Sequence, residues 1–337
     1  MLFIGTLWLT GCSTDLDLTA EYKDIAVVYG VLNQNDSIHY IKVNKSFIDD
    51  NIKPSDLAKM YDKLYYDNLI VSLEEYKDDI LINTIFLEDD TTISKEPGYF
   101  YNKKQVLYKT TYKLDQDNTY KIIVLKPNDD NTALDTVSAE TPLIKDFIIK
   151  SPSVVGAQIS WVSGSPFGVK WTSAVNGLLY QVLIKFHYTE EIVSTGASTQ
   201  KTLIWNVLNE KKSLDADGGD PLAFDIKRVN FYHFLNAYLS TDAGVTRTAD
   251  SMDFIFHVGS EVLSNYIEVN QAQTGLVQSQ AKPEYTNVTN GIGIIASRFT
   301  KISTGLGFTN SSLDSIACGQ FTSHLRFKNS IGLLTCD

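Results

Sequence analysis

The side chains that could do chemistry are scattered, and their spacing decides against most reactions. The chain has five histidines, His39, His187, His233, His257 and His324. None stands in an H-x-H, H-E-x-x-H or Cys–His spacing, the arrangements that bring imidazoles onto one metal ion. A nucleophilic serine on a strained turn announces itself as G-x-S-x-G. Gly164-Ser165-Pro166 and Gly259-Ser260-Glu261 lack that flanking pattern. No triad is legible, although its members can lie far apart in a chain. The acid pairs Asp89-Asp90 and Asp129-Asp130 fall in hydrophilic turns and read as solvated.

Two glycine-containing stretches raise sharper questions. In Gly291-Ile292-Gly293-Ile294-Ile295 the isoleucines interleave the glycines. A phosphate cradle needs glycines between a strand and a helix, with amides open to an anion. The pattern predicts instead a buried strand that another backbone approaches closely. Asp215, Asp217 and Asp220 surround Gly218-Gly219. Calcium takes several oxygens on a tightly turning loop, so these acids are a weak calcium candidate. Their spacing fits no EF-hand loop, and a solvated turn is expected. The residues together predict a non-catalytic protein with no cofactor and no metal. The net charge of −11, from 29 Lys and Arg against 40 Asp and Glu, leaves no basic stripe for nucleic acid.

The cysteines are more informative. Met1–Cys12 reads MLFIGTLWLTGC. The apolar run Leu2–Leu9 falls short of the roughly 20 residues that span a bilayer, but suits the core of a signal peptide. Leu9-Thr10-Gly11-Cys12 resembles the bacterial lipobox, a branched apolar residue and two small residues before an acylated cysteine. That resemblance implies a signal peptide over residues 1–11, a lipid anchor on Cys12 and a tether over 12–19. No Lys or Arg precedes the apolar run, which departs from the pattern. Ser13-Thr14-Asp15-Leu16-Asp17 resembles the surface-export signal of Bacteroidetes lipoproteins, which implies an outer-membrane protein facing the cell exterior. A lipobox implies an oxidising compartment, in which Cys318 and Cys336 are expected to form a disulfide. Such a loop stabilises by roughly 3 kcal/mol on the chain-entropy model.

The elements that must position these residues read as mainly β. Ile25–Leu32, His39–Phe47, Asn68–Glu74, Ile80–Leu87, Val106–Tyr112 and Thr119–Leu125 have the length or alternation of strands. Leu114-Asp115-Gln116-Asp117-Asn118-Thr119-Tyr120 resembles the tyrosine corner of immunoglobulin- and fibronectin-III-like domains, whose phenol bonds back to the upstream backbone. Residues 20–144 are therefore expected to form such a sandwich. Residues 145–337 are expected to form a second sandwich-like domain with an α+β character. Its strands include Val169–Thr172 and Leu179–Tyr188, and its inserted helices are Ile226–Leu239 and Ser260–Gln273. On the first helix Phe234, Leu235 and Tyr238 are expected to be buried. Phe231 is placed near the opposite side and is the candidate for a partner contact.

The lipobox, the opening Ile25-Ala26-Val27-Val28-Tyr29-Gly30-Val31-Leu32 and the late segment Tyr285–Ile295 together resemble a family of uncharacterised Bacteroidetes lipoproteins, often encoded near TonB-dependent receptors. Ile295 stands where that family usually has an aromatic, and Thr289-Asn290 replaces its more common acidic-Gly pair. The resemblance implies an accessory or structural subunit of a β-barrel or TonB-dependent receptor complex. A free-standing surface module or adhesin for glycan or peptide is the alternative, and a hydrolase with a dispersed site a further one. Asp-Ser or Asp-Thr followed by an apolar residue or Thr places Ser37, Thr91, Thr136, Ser251 and Ser315 in tripeptides that resemble the O-glycosylation sequon of Bacteroidetes exported proteins.

Overall fold

Strands dominate because the apolar positions repeat with period two: Thr119–Pro127 alternates half-buried and buried residues without a break. The structure is a computed structural model that describes residues 24–46, 52–101, 104–128, 132–152, 157–162, 164–271 and 284–336. The apolar leader, Cys12, the tether and Asp129-Asp130 lie outside these residues.

The first half contains β1 (Ala26–Leu32), β2 (His39–Lys45), the short helices α1 (Pro54–Leu57) and α2 (Tyr61–Leu64), β3 (Ile70–Lys77), β4 (Ile80–Phe86), β5 (Glu88–Asp90), β6 (Leu107–Thr110), β7 (Thr119–Pro127) and β8 (Leu134–Pro142). The second contains β9 (Ile149–Ser151), β10 (Gln158–Ile159), β11 (Phe167–Thr172), β12 (Leu179–Ile192), β13 (Ser198–Lys212), β14 (Pro221–Ile226), α3 (Val229–Tyr238), β15 (Val245–Gly259), α4 (Glu261–Gln271), β16 (Gly291–Phe308) and α5 (Asn310–Cys318).

The two halves share one plan. In the first, β1-β2-β6 face the sheet β4-β3-β7-β8; in the second, β9-β11-β14 face β13-β12-β15-β16. Each pair encloses its own core, one built around Tyr120, Ile122 and Val124, the other around Trp161, Trp171, Phe186 and Phe256. The fold is thus mainly β, with two sandwich-like units and helices inserted into the second: α3 precedes β15 and α4 follows it.

The division near residue 145 separates the cores but not the sheets. β16 pairs in parallel with β1 from Ala26↔Gly291 to Leu32↔Ser297, then antiparallel with β15 from Arg298 onward. Its first half therefore belongs to the first unit, whose core takes in Ile295, and its second half to the second. The expected close backbone approach at Gly293 is present. Its φ is +108°, and a Cβ there would strike the Val28 carbonyl, so only glycine serves.

The tyrosine corner forms as expected. The Asp115 amide donates to the Tyr120 hydroxyl at 2.8 Å. That hydroxyl donates in turn to Glu75 at 2.6 Å, and Tyr112 and Asn118 donate to the same carboxylate, each at 2.7 Å. Glu75 is 3% exposed. Burial pushes its carboxyl up, but the three donors outweigh burial and leave it below its ordinary value.

Phe231 corrects the expectation drawn from the sequence. It is 0% exposed, with ring centroids 5.1 Å from Trp161 and 5.4 Å from Phe186. Spacings of three and four residues put it on the same helix face as Phe234 and Leu235, both also buried. Tyr238, expected inside, stands exposed at the end of α3. Cys318 and Cys336 are bonded, as expected. The disulfide holds the C-terminal turn onto α5, where the Ser330 amide also donates to Asp314.

Phe231→Ala is expected to destabilise the chain by about 3–5 kcal/mol through the cavity it leaves, read from a denaturant midpoint followed by tryptophan fluorescence. Glu75 provides a second test. Its pKa is lower folded than unfolded, so its stabilisation is complete above the unfolded value and is lost as pH falls through the folded one. Glu75→Gln is expected to cost about 1–3 kcal/mol at neutral pH, because one partner then faces a donor instead of an acceptor. The variant should also lose less stability than wild type between about pH 5 and pH 3, measured by urea unfolding across that range.

Candidate functional site

Glu75, Tyr112 and Asn118 of this network line an open cleft of about 720 Å³ in the first unit. β3 carries Glu75 and Lys77 into it. The hairpin turn Asp78-Asp79, with both φ angles positive, sends β4 back alongside. A register shift in β4 opposite Glu75 and Tyr76 marks a bulge at Ile82, and Ile82 lines the cleft. The loop before β7 supplies Tyr112, Lys113 and Asn118, and the β1–β2 turn supplies Gln34.

Polar contacts hold the linker behind this cleft. Gln34 donates to the Ile144 carbonyl at 2.8 Å, and the Asp146 amide donates to the Gln116 side chain at 3.0 Å. Lys145 pairs with Asp117 at 2.6 Å, and Lys301 of β16 with Asp146 at 2.7 Å. The loops that shape the cleft are therefore the same ones that fix one unit against the other.

Two residues that line the cleft also hold a buried side-chain oxygen with no partner among the described residues, Asn118 Oδ1 and Gln34 Oε1. Their orientation is chemically fixed. Asn118 must turn its NH₂ toward Glu75, and Gln34 must turn its NH₂ toward the Ile144 carbonyl. Each amide is thereby left with its oxygen unsatisfied. Sequence reasoning passed over Glu75, Gln34 and Tyr112. Glu75 lies in Ser72-Leu73-Glu74-Glu75-Tyr76, which reads as the exposed face of a strand, and only the tyrosine corner pointed to this region.

The residues singled out in the sequence do not converge on this cleft. Asp215, Asp217 and Asp220 close the loop from β13 to β14 through their own backbone. Asp215 accepts from the Asp217 amide and Asp220 from the Leu214 amide, both at 2.9 Å. Gly218 and Gly219 have positive φ. No group of three metal-binding side chains occurs among the described residues. The five Asp-Ser/Thr tripeptides separate by environment. Ser37 and Thr91 are exposed in loops, and Thr136 is exposed on β8. Ser251 is half-buried within β15, between two neighbouring strands, and Ser315 is half-buried in α5, its hydroxyl donating to the Ser311 carbonyl. The aspartate of each tripeptide is engaged elsewhere, for example Asp36 with Arg298 and Asp250 with Thr189.

One arrangement sets a histidine between an aspartate and a hydroxyl. Thr202, His187, Asp253 and Thr304 form a hydrogen-bonded row across β13, β12, β15 and β16, with links of 2.8–2.9 Å. Each side chain bonds its strand to the next, which is cross-strand stabilisation of a sheet face. His39 is buried at the start of β2, and burial lowers its pKa.

A different surface is conspicuous. In β4, Ile80 is 66% exposed, Ile82 51% and Phe86 69%, and among strand neighbours Ile85 turns onto the core. Among the described residues no strand pairs with the outer edge of β4. The opposite edge of the same sheet is covered. Ser138 of β8 exchanges backbone hydrogen bonds with Thr289, and Asn287 and Asn290 donate to the Glu140 and Thr136 carbonyls.

No family model and no curated protein matches this chain. Among solved structures, the calcium-binding domain CBD12 of CALX1.1 aligns with 81% of this chain and 99% of its own at 12% identity, with a TM-score of 0.14. CBD12 from CALX1.2 aligns with 82% of this chain and 100% of its own at 11% identity, also with a TM-score of 0.14. Scores this low reflect no shared arrangement of the backbone, so neither likeness bears on ligand or activity.

Proposed function

We propose that this chain is a non-catalytic outer-membrane lipoprotein, anchored through Cys12 and facing the cell exterior, that serves as an accessory subunit of a β-barrel or TonB-dependent receptor complex. The observation that carries the reading is the bare edge of β4. Edge strands normally carry charges, proline or a covering segment, because an open ladder recruits any strand that meets it. Ile80-Leu81-Ile82-Asn83-Thr84-Ile85-Phe86 carries no charge, while the β8 edge is covered. A long apolar edge of this kind is suited to a partner that adds a strand. The partner of matching chemistry is a neutral, apolar-alternating strand or loop of a barrel protein. The docking surface therefore belongs to the first unit and not to α3.

The test is co-purification from detergent-solubilised outer membranes. Ile80→Lys with Phe86→Lys is expected to reduce the captured barrel protein at least about tenfold, because charges on an edge oppose strand addition. The tryptophan-monitored unfolding midpoint should stay unchanged. Equal capture by the doubly substituted chain, or capture of no barrel protein by wild type, would contradict the proposal.

A further inference from the structure

We propose that the end of the first unit at which the chain enters docks on the lipid surface that holds the Cys12 anchor, through the exposed side chains of Met60, Tyr99 and Phe100. This surface rests on the anchor proposed above, and its test separates the two.

The strand register collects one set of strand ends at this pole. Ala26 opens β1 opposite Lys45, the last residue of β2. Ile70 opens β3 opposite Leu125, and Leu134 opens β8 opposite Pro127. The linker to the second unit leaves from the other set of ends, after Pro142 of β8. Asp24 is held at the free pole, where it accepts from the Tyr66 hydroxyl at 2.5 Å and pairs with Lys126 at 3.7 Å. Eleven residues, 13–23, separate it from Cys12. Fully extended they reach at most about 40 Å. An acylated Cys12 therefore keeps this pole, and not the second unit, close to the bilayer.

The same pole exposes apolar side chains. α2 is held against the end of β2, where Asn44 donates to the Leu64 carbonyl at 3.0 Å. The segment between β5 and β6 is tied to the short helices. The Tyr101 amide donates to the Ala58 carbonyl at 2.7 Å, and the Tyr101 ring lies 5.7 Å from that of Tyr61. On this platform Tyr99 is 61% exposed, Phe100 is 46% exposed, and Met60 stands exposed between α1 and α2. Lys95 lies 5.0 Å over the Phe100 ring, and Lys104 5.2 Å over that of Tyr61. Aromatic rings, and lysines whose stems lie on apolar surface while the ammonium stays wet, are the side chains of a bilayer interface.

Charge decides how contact is made. The chain carries a net charge of −11, and Asp56, Asp62 and Glu96 stand exposed among the lysines of this pole. Anionic headgroups therefore offer no net attraction, and contact comes from apolar insertion. A tethered chain meets the bilayer at high effective concentration, so insertion of a few side chains suffices.

The experiment couples a chain that starts at Cys12 to a maleimide lipid in phosphatidylcholine vesicles. Cys318 and Cys336 are occupied by their disulfide, so the Cys12 thiol alone reacts, and coupling does not depend on acylation in the cell. Fluorescence is read against the parent chain. The tryptophan of Phe100→Trp is expected to be quenched by brominated acyl chains at least about twofold, and to stay quenched in high salt. Leu214→Trp, at a site 90% exposed between β13 and β14 of the second unit, is expected to show no quenching. Adding Met60→Ser and Tyr99→Ser should cut the Phe100→Trp quenching at least about twofold and leave the unfolding midpoint unchanged. Should Phe100→Trp fail to fold, Tyr99→Trp takes its place, with Phe100→Ser as the added change. Three results would overturn the inference: no quenching at the pole, equal quenching at Leu214→Trp, or loss of quenching in high salt. Reduced barrel capture by Met60→Ser with Tyr99→Ser, at unchanged quenching, would make the pole a protein contact and overturn it as well. Fatty-acid labelling of Cys12 in cells tests the anchor itself. Labelling without quenching overturns this surface alone, and quenching without labelling overturns the anchor alone.

Discussion

The structure depends on one strand being shared. β16 enters the first unit as the parallel partner of β1 and leaves it as the antiparallel partner of β15. Parallel pairing needs a long crossover, and here almost the entire chain lies between the partners. Close contact is possible because Gly293 lets the Val28 carbonyl approach, while Gly30 leaves room for the Ile41 and Ile295 side chains. Both glycines act by what they lack. Ile295 then completes the core of the first unit although it lies in the sequence of the second. The linker contacts around Asp146 and Ile144 follow from this pairing, because β16 brings Lys301 within reach of Asp146.

A second constraint shapes the cleft. A carboxylate as buried as Glu75 is tolerated only when its oxygens are fully hydrogen-bonded. Two tyrosines and an asparagine meet that need. The tyrosine corner thus does more than close a loop: it orients Asn118, whose other amide atom faces away from Glu75 and is left unpaired. The same hairpin that carries Glu75 leads directly into β4, so the cleft and the bare edge are neighbours in the fold. The second unit carries the larger aromatic core.

Local signals in the sequence were legible where local physics decides the outcome. The Leu114–Tyr120 segment announced the corner, and the alternation in Leu179–Tyr188 announced β12. Helix periodicity located α3 and α4 to within a few residues. Phe231 was misplaced although the information was present: its distance of three residues from Phe234 and four from Leu235 puts all of them on one face. The exposure of β4 was not legible, since Ile80–Leu87 reads only as a strand and its edge position leaves it bare. The joint pairing of β16 was hidden for a related reason. No local pattern specifies which distant strand a buried run will join, and Gly291-x-Gly293 could signal only that some backbone comes close.

The most direct test of the shared strand is whether the units unfold together. Trp161, Trp171 and Trp205 all lie in the second unit, so the tryptophan fluorescence of a chain that starts at Asp24 reports that unit alone. Hydrogen exchange of the β7 amides in increasing denaturant reports the first. Coincident midpoints are the result expected when β16 makes one cooperative body of both cores. If β7 opens at lower denaturant while the fluorescence remains native, the units are energetically separate and the account is wrong.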